Sequence, residues 1–222
     1  MITSDTQHMI TDITVSGQSV FASDQGCPVS AFDPAGWLGA TGHRSLGIPL
    51  AARQQVVVSG DPASVFGPAA ASNVGMAIGT APIEPQQVIP VNQLGGEALS
   101  YVCGLGEIPI AAAAAATLTC TIRRPVMLGA LTLDFDAGVV DDYVVRSVTI
   151  NNVQMLSGEN GVLGEIPLSV FLNNSSDIDG KIIGYPAPLN GQFSVEIFNY
   201  GAVAANIAGA CFTVPGMQTF GG

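Results

Sequence analysis

The chain reads as an all-β protein, two tandem β-sandwich units related by internal duplication, and three features predict this. Apolar and polar residues alternate with a period of two: Leu118, Cys120 and Ile122 face one way while Thr117, Thr119 and Thr121 face the other. The same period recurs in Leu131-Thr132-Leu133-Asp134-Phe135 and Phe193-Ser194-Val195-Glu196-Ile197. The 14 prolines and 27 glycines are spread along the whole chain, which suits short strands joined by turns and argues against long helices. Third, a set of landmarks occurs twice in one order, as expected of a repeat.

Those landmarks begin with Ile13-Thr14-Val15, Ser23-Asp24-Gln25-Gly26 and Pro28-Val29-Ser30-Ala31-Phe32. The stretch from Tyr143 to Phe171 answers with Val148-Thr149-Ile150, Ser157-Gly158-Glu159-Asn160-Gly161 and Pro167-Leu168-Ser169-Val170-Phe171. Pro49 precedes Gln55 just before Val56-Val57-Val58, as Pro186 precedes Gln192 just before Phe193-Ser194-Val195. Asn73 and Thr80 have the spacing of Asn206 and Thr213.

Taken in order, residues 1 to 9 are polar and weakly periodic and read as an arm. Strands follow at about 10 to 16, 27 to 32, 44 to 50, 54 to 60 and 72 to 80, punctuated by Asp33-Pro34-Ala35-Gly36 and Ser59-Gly60-Asp61-Pro62. These make a first β-sandwich unit over 1–80. Residues 81–116 read as a connector with candidate extra strands: 81 to 97 hold Pro82, Pro85, Pro90 and Gly95-Gly96, a weak strand covers 99 to 103, and Ile108 to Ala116 reads as a small-residue linker. The second unit, 117–222, shows strands at 117 to 123, 127 to 135, 144 to 151, 162 to 171, 181 to 185, 192 to 199 and 203 to 214, the density of a β-sandwich or jelly roll. Two modest cores fit a length of 222 residues.

Composition narrows the function classes. Apolar residues make up 48% of the chain and charged residues 10%, against about 25% in ordinary domains, so much of the surface is neutral and suited to association, which implies a homo-oligomer. Net charge is −11 with six basic residues, so no basic stripe exists to neutralise phosphates and direct nucleic-acid binding is not expected. Within Arg123-Arg124, one Arg paired with a nearby Asp and one solvated is favoured over an anion site. Met1 to Met9 carries neither a basic region nor an apolar run, so no signal peptide is expected and synthesis is placed in the cytoplasm.

The search for chemistry yields no catalytic, cofactor-binding or metal site, and the chain is expected to be no enzyme. His8 and His43 have no second ligand at metal spacing and read as loop histidines. Ser16-Gly17 and Ser59-Gly60 lack a nucleophile-elbow pattern and read as turns. Asp134, Asp136, Asp141 and Asp142 form one acidic cluster, and Asn173, Asn174, Asp177 and Asp179 another; neither fits the calcium-loop pattern, and solvated turns are favoured over structural Ca²⁺. Cys27, Cys103, Cys120 and Cys211 read as buried thiols, with a Cys103 to Cys120 bridge as the minor alternative. Trp37, with Phe32 upstream, reads as a core or interface anchor ahead of a sugar-stacking platform.

Two Thr- and Val-rich sandwich units, sparse charge and Ala and Gly richness resemble virion structural proteins, in particular the tandem jelly-roll coat proteins of icosahedral viruses. The segment from Arg124-Pro125 through Asp142-Tyr143-Val144-Val145 into Val148-Thr149-Ile150 is similar to β-rich proteins generally, and the halves are short for a double jelly roll. The resemblance implies a self-assembling capsid subunit located in the virion, with copies of itself and other virion proteins as partners. It also implies an underlying membrane or basic internal proteins to bridge an acidic shell to the genome. A capsid decoration or spike protein is the nearest alternative. A carbohydrate-binding or adhesive module is another, with Trp37 and Tyr185 as its aromatic platform. The terminal segments, Met1 to Met9 and Pro215 to Gly222, are expected to contact neighbouring subunits.

Overall fold

A computed structural model describes residues 2–4, 9–32, 54–61, 74–76, 101–155, 164–172 and 182–213. The protein is all-β: among the described residues, helical geometry is confined to short 3-10 turns. The second half forms a sandwich of two antiparallel sheets, built from β7 (Val102–Ile110), β8 (Ala115–Thr121), β9 (Val126–Phe135), β10 (Tyr143–Ile150), β11 (Val153–Gln154), β12 (Ile166–Pro167), β13 (Ile182–Ala187), β14 (Gln192–Asn199) and β15 (Ala205–Thr213). One sheet has the order β11-β10-β14-β8, with β12 also on β10; the other has the order β13-β9-β15-β7. Apart from β10 to β12, each strand passes to the opposite sheet.

The period-two faces meet between these sheets. Leu118, Cys120, Val145, Val148, Ile150, Phe193, Val195 and Ile197 from one pack against Cys103, Leu105, Leu128, Leu131, Leu133, Ile207 and Cys211 from the other in one buried cluster. The outer face of the first sheet carries Thr119 and Ser194, whose hydroxyls lie 3.1 Å apart, and Ser147, which donates to Glu196 at 3.2 Å.

The first half contributes β1 (Ile2–Ser4), β2 (Met9–Val15), β3 (Gln18–Ser19), β4 (Cys27–Pro28), β5 (Val56–Asp61) and β6 (Val74–Met76). β1 pairs with β6; β2 lies between β5 and the short strands β3 and β4. Ile10, Ile13, Phe21, Cys27, Val29 and Phe32 of this half pack with Val102, Ala210 and Phe212 of the second half. Phe32 meets Phe212 edge to face at 5.7 Å. The β15 sequence follows from this, since Ile207 and Cys211 face the sandwich core while Ala208, Ala210 and Phe212 face the first half.

Residues 20 to 26 close one flank of the sandwich. The N–H of Ala22 donates to the Val102 carbonyl at 2.7 Å and that of Gly106 to Gly26 at 2.9 Å, along the β7 edge. On the other sheet, Arg123 N–H reaches Ala22 at 2.6 Å and Asp24 N–H reaches Thr121 at 3.1 Å. Buried Ser23 donates to the Gly104 carbonyl at 2.8 Å. Two otherwise open sheet edges are thereby partly satisfied.

Several expectations are corrected. Residues 2–4 and 9 are strand, held by β6 and β5, so the expected arm 1–9 is partly built into sheets. The expected strand 27 to 32, and the described residues 164–171 of the expected strand 162 to 171, each hold two strand residues followed by a 3-10 turn, Val29–Phe32 and Leu168–Phe171, in which a Phe is buried. Ile108 to Ala116 is no linker: β7 runs to Ile110, a turn with Ala113 at φ 51° reverses the chain, and β8 starts at Ala115. Pairing with β15 and burial of Ile110 override the helix preference of alanine. A boundary at 116/117 therefore falls inside β8, and the sandwich begins at β7. The expected strand 44 to 50 and the tail from Pro215 lie outside the described residues.

Some described strands of the two halves have corresponding registers. In the first, Thr14 opposes Ser19 and Val15 opposes Gln18 around a turn with Ser16 at φ 50° and Gly17 at φ 80°. In the second, Thr149 opposes Gln154 and Ile150 opposes Val153 around Asn151 at φ 50° and Asn152 at φ 64°. Met9 pairs with Pro28 as Val144 pairs with Pro167, and the 3-10 turns follow directly. β5 runs beside β2 as β14 runs beside β10: Val15 to Val56 and Ile13 to Val58 correspond to Ile150 to Phe193 and Val148 to Val195. The register slips between Ile10 and Asp12 in one and between Val145 and Ser147 in the other, the same place in both. β1 with β6 likewise mirrors the end of β9 with β15, Ile2 to Met76 matching Leu133 to Gly209.

Candidate interaction surface

The best-defined exposed cluster of polar and aromatic side chains lies around the loops joining β14 to β15 and β9 to β10. Asn199, fully buried at the end of β14, organises it. Its amide donates to the carbonyls of Val203 at 2.7 Å and Ala111 at 3.2 Å, and its side-chain oxygen accepts from Gly201 N–H at 2.8 Å. Tyr200 N–H donates to Asp142 at 2.7 Å and Ala113 N–H to Gly201 at 3.2 Å, so three loops are locked together. On this base Val139, Tyr200 and Val203 stand exposed, Tyr200 at 54%.

Beside them the slip in β10 sets Arg146 over the Phe198 ring, 3.6 Å from its centroid. Arg146 Nε donates to Glu165 Oε1 at 2.9 Å and Nη2 to the Tyr200 hydroxyl at 2.9 Å; that hydroxyl lies 2.8 Å from Glu165 Oε1. The hydrogen bond to Tyr200, with that to Glu165, raises the Arg146 pKa and keeps the guanidinium charged. An exposed, pre-ordered Arg and Tyr pair is the composition that dominates protein–protein hot spots. No spacing along the chain signals it, because its members come from β10, β14, the loop after β14 and the approach to β12.

The acidic positions do not converge. Asp134 accepts from Ser30 Oγ at 2.5 Å, and burial raises its pKa. Asp136 accepts from the backbone and side chain of Asn206, both at 2.7 Å, while Asp142 gives its carbonyl to Tyr200. Among the described residues no three His, Cys, Asp or Glu side chains are placed to hold a metal ion. Asn173, Asn174, Asp177 and Asp179 lie outside the described residues, as do His8, His43 and Trp37.

Arg124 departs from the expected Arg–Asp pairing: it donates to the Ser19 carbonyl at 3.2 Å and stacks 4.3 Å from the Tyr101 ring centroid, while Arg123 is exposed. All four cysteines are buried and none is in a disulfide, so Cys103 and Cys120 are not bridged; Cys103 instead lies opposite Cys211 across β7 and β15. Burial pushes the Cys120 thiol up to about 12. Tyr185 is half-buried against the core. Ser16-Gly17 is a hairpin turn, whereas Ser59-Gly60 lies within β5, because pairing with β2 continues to Asp61. No helix among the described residues is long and apolar enough to cross a membrane. No protein-family model matches the chain, and no curated protein or solved structure is significantly similar to it.

Proposed function

We propose that this chain is a non-enzymatic, self-assembling structural subunit, a virion coat protein built from a duplicated jelly-roll unit. The observation that carries the reading is the shared register of the two halves, with the same hairpin, the same slipped residue and the same 3-10 turn. Independent convergence on that set is improbable when hairpin turns and slips vary freely between unrelated sheets. The strand order β13-β9-β15-β7 facing β11-β10-β14-β8, with the chain crossing between sheets, supports a jelly roll for the second half. Sparse charge, 10% of residues, supports subunit contacts made with little desolvation of ions.

A net charge of −11 assigns contact with a packaged genome to another layer, basic internal proteins or a membrane. Negative-stain imaging of purified full-length protein tests the reading. Closed shells or regular arrays are expected. A decoration or spike role gives only discrete small oligomers, and a protein that stays monomeric up to millimolar concentration removes the assembly reading.

A further inference from the structure

We infer that Asp134 is a pH-sensitive clasp between the two halves: with its carboxyl protonated the first-half sheet is seated firmly on the sandwich, and ionisation loosens that seat. The clasp joins one side chain from each half. Ser30 lies in the 3-10 turn Val29–Phe32, whose Val29, Ala31 and Phe32 are buried in one cluster with Val102, Ala210 and Phe212. From that turn the Ser30 hydroxyl donates to Asp134 Oδ2 at 2.5 Å, while Phe135 N–H donates to Asp134 Oδ1 at 2.9 Å. Met9 pairs with Pro28 at the entry to the turn, so what holds the turn also holds β2.

The seam around this carboxyl resists a negative charge. Asp136, two residues on, is bonded to Asn206 of β15, and its charge opposes ionisation of Asp134. Opposite Asp134 on β15 stands Ala208, which packs against Met9 of β2 and lies opposite Glu107 of β7. Met9 pairs in turn with Asp61 of β5. The charged residues that these elements bring around Asp134 are thus all acidic, and among the described residues no cation pairs with it. Burial foremost, and then Asp136, hold the carboxyl above its ordinary pKa, against the Ser30 and Phe135 hydrogen bonds, which favour the charged form. A carboxyl so raised contributes stability that is fully present below its ordinary pKa and is lost as pH rises through the raised value.

The clasp acts within one subunit and is independent of assembly. A carboxyl-carbon NMR titration of Asp134 in the full chain, together with amide exchange corrected for its intrinsic pH dependence, tests it between pH 4 and pH 8. Protection of the β2 amides should fall through the Asp134 midpoint, about tenfold for each pH unit by which that midpoint exceeds the ordinary carboxylate value, while β10 and β14 keep theirs. Asp134→Asn should hold β2 at its acid level of protection across the whole range. Asp136→Asn, which leaves the clasp itself in place, should lower the midpoint and shrink the loss of protection with it. Protection of β2 that is flat with pH in the unaltered chain, a fall that persists in Asp134→Asn, an equal fall in β10 and β14, or a loss unchanged by Asp136→Asn while the midpoint drops would each overturn the assignment.

Discussion

Gly104 shows how closely the halves are fitted. A Cβ built there would lie 2.2 Å from the Gly26 carbonyl oxygen and 2.3 Å from that of Gln25, both backbone atoms that cannot swing aside. Gly104→Ala should therefore lift residues 25 and 26 from β7 and cost about 1–3 kcal/mol in chemical denaturation, an overpacking penalty. Asp134 is the second revealing residue. Its folded pKa is raised by burial, so its contribution to stability is fully present below the ordinary carboxylate pKa and is lost as pH rises through the raised folded value. Asp134→Asn should raise the melting temperature at pH 7 and give no gain at pH 4, because an amide keeps a partner for Ser30 without a buried charge. A melting temperature that falls equally at both pH values would contradict this. Neither contact could be read from pattern, since each is made with a distant segment of the chain, Gln25-Gly26 or Ser30.

Elements were more legible than their partners. The repeated Ile13-Thr14-Val15 and Val148-Thr149-Ile150 are register-equivalent, as are Pro28 through Phe32 and Pro167 through Phe171. The prolines also mark topology: among the described residues Pro28, Pro109, Pro167 and Pro186 lie in strands at the ends of their sheet orders or off the main path, where a missing N–H is tolerated. What the period could not reveal was that β15 is buried on both faces, because its small residues Ala208, Gly209 and Ala210 carry no clear alternation and the first half covers Ala208, Ala210 and Phe212. That contact gives a prediction at this scale. Phe212→Ala should cost about 3–5 kcal/mol and loosen the first-half sheet selectively. Hydrogen exchange should then speed up in β2 and β4 well before β10 and β14; uniform acceleration of both would mean that the two sheets do not unfold separately.

At the scale of the molecule, a sandwich supports a second sheet through burial and backbone hydrogen bonds, and the described residues hold one ion pair, Arg146 to Glu165. Fold class could be read from alternation and turn residues alone, because both are local properties of the chain. The polar and aromatic cluster could not: Arg146, Phe198 and Tyr200 meet only when distant strands are brought side by side. Such a lightly charged molecule should associate through neutral surface and backbone, with little dependence on salt. Sedimentation velocity of the purified full chain at low and high salt tests the central claim most directly. The account predicts a concentration-dependent step from the 22.6 kDa subunit to much larger, discrete species, little altered by ionic strength; a single subunit-sized species at every concentration and both salt levels would contradict it.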